Sequence, residues 1–131
     1  MFSHIMLGTN DLQKAIHFYD AVLSPLGLER TDKPRPDADY AKWQAPGTTS
    51  PIFYVCHPQD GERAQQGNGT MIAFNATNPA MVDTAYVGGM KAGGSCEGEP
   101  GERPHYGAGY YGAYIRDPDG NKVHITHRGD L

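Results

Sequence analysis

The chain has no run of basic residues. Its 11 lysines and arginines stand singly against 15 acids and leave a net charge of −4 over 131 positions. Nucleic-acid binding and docking on an anionic membrane both need clustered cations, so neither partner is expected. No apolar stretch approaches the roughly 20 residues that cross a bilayer. The opening "MFSHIMLG" has neither the charged segment nor the long apolar segment of a secretory leader, so no signal peptide is expected there. Cysteine is scarce too. Cys56 and Cys96 have no zinc-type spacing, and one candidate pair without an export signal points to reduced thiols and a cytoplasmic home. Also missing are a Gly-rich phosphate loop, GxSxG and HExxH, which argues against serine nucleophiles and zincin chemistry. The acids offer no catalytic pair: Asp117 and Asp119 belong to a turn, and Glu97, Glu99 and Glu102 read as a solvated rim.

What is abundant is turn chemistry, with 17 glycines and 10 prolines, in a chain of one-domain length. Residues 2–8 read as a short strand. "TNDLQKAIHFYDAVLSPLG" reads as a helix with Asn10 as N-cap and Gln13 completing a capping box, and Leu12, Ala15, Ile16, Tyr19, Val22 and Leu23 form its apolar stripe. Pro25 and Gly27 end it. "LGLERTD", "YAKWQA" and "SPIFYVCHP" are strand candidates, with "KPRPDAD" a connection. The pattern then restarts. "TMIAFNA" is a strand, and "NPAMVDTAYVGGMKAGG" a helix with Asn78 as N-cap, Pro79 first and a weakening Gly88-Gly89 pair. A Gly/Pro/Glu-rich loop is predicted over 93–104. "YYGAYIRD" and "NKVHITH" are strands around the turn at "DPDG".

Strand, helix and further strands therefore occur twice. Sliding the chain by 67 places His4 on Met71, and sliding it by 71 places Phe53 on His124 and Trp43 on Tyr114. On a strand, side chains alternate, so His124 shares a face with Thr126 and turns away from Val123 and Ile125. If the Val/Ile face is packed, His124 looks into solvent or a cavity. His17, on a helix, and His57 and His127 are expected at the surface. "ERPHYGAGYYGAY" alternates glycines with aromatics, which suits close approach to a ligand or the covering of a sheet edge, and it brings His105 and Tyr106 forward as contact residues, while Trp43 and Tyr114, at equivalent repeat positions, are either core or cavity wall.

The tandem pattern, the opening "SHIMLGTNDLQKAIHFYDAVLSPLGL" and the closing "RPHYGAGYYGAYIRDPDGNKVHITH" resemble the vicinal oxygen chelate superfamily, which includes glyoxalase I, extradiol dioxygenases and bleomycin-resistance proteins. The resemblance implies an α+β fold of two βαβββ modules, residues 1–58 and 59–131, whose curved mixed sheet surrounds a cavity. It places the four metal-ligand positions at His4, Phe53, Met71 and His124. Phe cannot bind a metal, and a thioether suits soft ions rather than the divalent Zn, Ni, Fe or Mn that the resemblance implies. Two imidazoles alone fall short of the three protein ligands usual at a catalytic zinc.

Two functions follow as expectations. One is a lyase or isomerase of the lactoylglutathione lyase type, with His4 and His124 as metal ligands and catalytic groups, and with Arg30, Arg35 and Arg103 as candidates for glutathione carboxylates. The other is a metal-free protein of the bleomycin-resistance type, sequestering a small molecule in a cavity lined by Trp43, Phe53, Met71, His105, Tyr106 and Tyr114. Between them lies a metal-free isomerase or lyase using the two histidines. The resemblance also implies a homodimer.

Overall fold

The protein is described by a computed structural model covering residues 1–31 and 39–129. Its strands form two four-stranded sheets. The first contains β1 (His4–Gly8), β2 (Glu29–Arg30), β3 (Tyr40–Gln44) and β4 (Ile52–Cys56), in the order β1-β4-β3-β2. The second contains β5 (Met71–Asn75), β6 (Ser95–Glu102), β7 (Tyr111–Arg116) and β8 (Lys122–His127), in the order β5-β8-β7-β6. Each sheet pairs its first and last strands in parallel and the others antiparallel. Helix α1 (Leu12–Leu23) follows β1, and α2 (Pro79–Lys91) follows β5. This is the α+β architecture, βαβββ twice over, that the sequence led us to expect. The connection predicted at "KPRPDAD" falls largely on 32–38, outside the described residues.

Helix α1 forms because its apolar residues recur at helical spacing, burying Leu12, Ala15, Ile16, Phe18, Tyr19, Val22 and Leu23. Its N-cap is Asp11, whose side chain accepts from the Lys14 amide, and not Asn10 as predicted. Asn10 is used otherwise: its amide group exchanges two hydrogen bonds with the backbone of Ala64, pinning the loop before β5. Gly27, at φ 82°, ends the segment in the left-handed conformation that glycine adopts without steric cost. Helix α2 is capped by Asn78 with Pro79 first, as predicted. Its Gly88-Gly89 pair has a packing reason. A Cβ on Gly88 would lie 2.9 Å from the Ala21 carbonyl oxygen, and one on Gly89 2.8 Å from both Val22 and Ile115. The two helices cross here, and glycine is what lets them meet.

The predicted loop over 93–104 is instead the edge strand β6. Its pairing with β7 is interrupted by register shifts between Cys96 and Gly98 and between Gly98 and Gly101. Local composition favours a loop. The ladder to β7 overrides it, and the irregularities absorb the glycines and Pro100.

The "DPDGN" turn does more than reverse the chain. The Asp117 carboxylate accepts from the backbone amides of Asp119 and Asn121, from the Asn121 side chain and from the Tyr19 hydroxyl at 2.7 Å. Asn121 also donates to the Gly8 carbonyl, and Asp119 accepts from Thr9 and from the Asn10 amide. A turn of the second sheet thus clamps the β1–α1 junction of the first.

Candidate functional site

Alternation and register divide each sheet into a helix-covered face and an open face. On the first sheet Leu7, Ala41, Trp43, Phe53 and Val55 face the helix and are buried. His4, Met6, Tyr40, Lys42, Ile52 and Tyr54 share the open face. On the second sheet Phe74, Ala113, Ile115, Val123 and Ile125 are buried against α2, while Met71, Ala73, Tyr114, Lys122, His124 and Thr126 share the open face.

This corrects the repeat alignment. His4 pairs with Ile52 as Met71 pairs with Lys122, so His4 and Met71 are equivalent as expected. The later slide is one residue too long. Tyr54 is the counterpart of His124, and Phe53 that of the core residue Val123. In β3 the slide errs the other way, one residue too short, so Trp43 matches Ile115 and not Tyr114, since Trp43 pairs with Phe53 and Ile115 with Val123. A one-residue slip on a strand moves a side chain to the opposite face. Phe53 therefore packs on Tyr19, Trp43 and Phe74, and Trp43 donates its indole N–H to Asp20.

The histidines stand apart. His4 is exposed, bonded through Nδ1 to the Ser3 hydroxyl and edge-on to Tyr54. His124 is 1% exposed. They belong to different sheets that no ladder joins among the described residues, and the two modules meet chiefly through α1 and α2. His127 bonds to the Ala76 carbonyl from the helix-covered side, and His17 and His57 are exposed.

Around His124 the chain builds an enclosure. Its Nδ1 lies 2.9 Å from the Ala113 carbonyl oxygen, which can only accept, so Nδ1 carries the proton. In the neutral ring Nε2 then accepts from the Tyr110 hydroxyl at 2.8 Å. Tyr114 stacks on the ring at 4.1 Å, nearly parallel, and Tyr110 lies on it at 5.9 Å. Gly112 makes the room, since a Cβ there would sit 2.5 Å from His124 Cε1. Burial pushes the imidazole below its ordinary value. The Ala113 bond opposes that shift, and the charges of Arg103 and Lys122 add to it.

Arg103 lies flat along β6, donating to the carbonyls of Glu99 and Glu102 beside Gly98 and Gly101, where added Cβ atoms would come within 3.4 and 3.1 Å of its guanidinium. The predicted contact residues His105, Tyr106, Tyr114 and Met71 come together here. With Glu97, Arg103 and Lys122 they line a cavity of about 400 Å³. Trp43 and Phe53 border a second groove of about 510 Å³, together with Phe2, Ile72 and Phe74, and Met71 reaches both. Tyr110, Lys122 and Gly112 were not singled out from the sequence. The glycine–aromatic alternation in "GYYGAY" carried the signal. Arg35 lies outside the described residues. Arg30 pairs with Asp20, away from this cavity.

The residues present do not fit a chelated divalent metal. Among the described residues no three His, Cys, Asp or Glu side chains come together to hold one. The His124 Nε2 lone pair is occupied by Tyr110, and Met71 is a soft donor. Two cations, Arg103 and Lys122, face the same space and oppose a third.

Comparison with known proteins agrees with this fold. A family model described as Glyoxalase/Bleomycin resistance protein/Dioxygenase superfamily matches residues 1–125. A glyoxalase/bleomycin resistance protein from Albidiferax ferrireducens T118 is similar at 36% identity, covering 98% of both chains with a TM-score of 0.82. A glyoxalase-related enzyme from Fulvimarina pelagi shares 22% identity over 97% of this chain and 87% of its own, at TM-score 0.72. The lactoylglutathione lyase from Agrobacterium tumefaciens shares 25% identity over 97% and 92%, at TM-score 0.64. Comparison with curated proteins gave no match.

Proposed function

The chain belongs to the Glyoxalase/Bleomycin resistance protein/Dioxygenase superfamily, and from that premise we propose that it is a metal-independent member that binds a small molecule over β8. One observation carries this reading. His124, at the position where a ligand is expected, is already fully hydrogen-bonded by Ala113 and Tyr110 and stacked on Tyr114. A neutral imidazole held this way, 1% exposed and stacked on Tyr114, braces the cavity wall from behind. The neighbouring Tyr106 and Met71 offer apolar contact surface. The test is a thermal-shift screen of small ring compounds, run before and after dialysis against EDTA, with metal content measured by mass spectrometry. Ligand-induced stabilisation that survives dialysis is expected. Near-stoichiometric zinc, nickel, iron or manganese, lost in a His4→Ala/His124→Ala double variant, would overturn the reading.

A lyase of the lactoylglutathione type is the second reading, supported by the Tyr110–His124 hydrogen bond, which is a ready path for a proton. Turnover of the methylglyoxal–glutathione adduct, abolished by Tyr110→Phe, would favour it over simple binding. A homodimer completes the proposal, supported by the exposed Phe2, Met6, Tyr40 and Met71 around the open faces. Sedimentation at several concentrations checks it. Cytoplasmic residence fits the unpaired Cys56 and Cys96.

A further inference from the structure

We infer that the ligand of the β8 cavity is an organic carboxylate, its oxyanion bridging Arg103 and Lys122 above the Tyr114 ring and its apolar body lying toward Tyr106 and Met71. This rests on the small-molecule reading of that cavity and narrows it to a chemical class.

The first support is charge placed without a partner. The Arg103 guanidinium lies 5.9 Å and the Lys122 ammonium 5.2 Å from the Tyr114 centroid. Neither forms an ion pair with a carboxylate among the described residues. Among the described residues, Arg103 is held by backbone carbonyls and the Tyr114 ring, and Lys122 by the ring. The one acid lining the cavity, Glu97, is taken by Arg116 at 3.0 Å. Two uncompensated cations thus converge on one small space in a chain whose net charge is −4. Such a site concentrates anions locally, against the sign of the whole molecule.

The second support is preorganisation. Arg103 reaches its place because Gly98 and Gly101 clear the β6 backbone for its guanidinium. Its carbonyl partners then fix the guanidinium plane. A planar donor set held this way suits a carboxylate, with Lys122 as a point charge beside it. The third support is the exposed apolar surface alongside: Tyr106 is 58% and Met71 43% exposed. His124 contributes no charge of its own. Its burial, and then these same two cations, favour its neutral form.

The experiment is calorimetric titration of the full chain with benzoate, with its neutral isostere benzamide and with phenyl phosphate, at low and moderate salt. Benzoate is expected to bind at least about tenfold more tightly than benzamide, the scale of one charge-assisted hydrogen bond, and to weaken as salt rises. Lys122→Met and Arg103→Met should each cost benzoate about tenfold and cost benzamide less, since only the carboxylate carries the charge that these cations meet. Unaltered thermal unfolding of Lys122→Met would show that the fold is intact. Equal affinity for benzoate and benzamide would overturn the carboxylate assignment while leaving the small-molecule reading standing. Preference for phenyl phosphate would reassign the class to phosphate esters. No binding of any probe would remove both readings together.

Discussion

Gly112 and His124 show how one small residue admits one large one. The His124 ring occupies the space that a Cβ on Gly112 would need, at 2.5 Å, and the contact is with a ring locked at both nitrogens. Neither partner can yield cheaply. Gly112→Ala should therefore cost about 1–3 kcal/mol through overpacking, read as a lower urea midpoint, and should weaken ligand binding because the ring must tilt. An unchanged midpoint would mean that the ring is looser than its bonds imply. The same ring carries a pH signature. Burial lowers its pKa in the folded state, so below the unfolded value of about 6.5 the unfolded chain takes up a proton that the folded chain refuses. Its contribution to stability is fully present above that pH and is lost as pH falls toward the folded pKa. Imidazole NMR titration should place the His124 midpoint below the ordinary histidine value of about 6.5. Stability should fall less steeply with acid in His124→Gln. The orientation of His124 was legible because Val123 and Ile125 mark the buried face. Phe53 was misplaced because two aromatic-rich strands align almost as well one residue out of step, and only the hydrogen-bond register decides.

At the scale of elements, α1 and α2 are where propensity and packing disagree. Each glycine in the Gly88-Gly89 pair costs about 1 kcal/mol against alanine in an exposed helix, so a surface argument predicts that Gly88→Ala stabilises. The crossing predicts the reverse. The Cβ would press to 2.9 Å on the Ala21 carbonyl oxygen, a backbone atom that moves only if the helix moves. We expect a net loss of about 1–2 kcal/mol in Gly88→Ala by chemical denaturation, overpacking outweighing propensity. The helices and most strands were legible because periodicity and capping residues are local. The N-cap was missed by one position because Asn10 and Asp11 are both good caps, and only the distant Ala64 backbone claims Asn10. Strand β6 was missed for a related reason. Its four residues Gly98, Glu99, Pro100 and Gly101 disfavour a strand, and the energy that makes it one comes from β7.

At the scale of the whole molecule, the "DPDGN" turn holds two modules in one arrangement, and its central carboxylate receives four donors and gives none. Burial pushes the Asp117 carboxyl up from its ordinary value, while the bonds from Tyr19, Asn121 and Asp119 pull it back. That pattern makes an amide a poor substitute. In Asp117→Asn one of the two terminal atoms becomes an N–H₂ group facing two donors, whichever way the side chain turns. Buried groups would be left unpaired, so Asp117→Asn should cost about 2–4 kcal/mol, nearly as much as Asp117→Ala. The loss is also directional. Tyr19, on the helix α1 that packs on the first sheet, is the partner of Asp117, and its ring lies 5.6 Å from Trp43, the chain's single tryptophan. Trp43 fluorescence therefore reports on the first sheet, and far-UV circular dichroism on both. In the wild type the two unfolding curves should coincide, because the helix crossing and the turn tie the modules into one cooperative unit. In Asp117→Asn the midpoint should fall and the fluorescence transition should part from the dichroism transition. A lowered midpoint with curves still superimposed would assign the coupling to the α1–α2 crossing instead, and an unchanged midpoint would mean that the turn stabilises only itself.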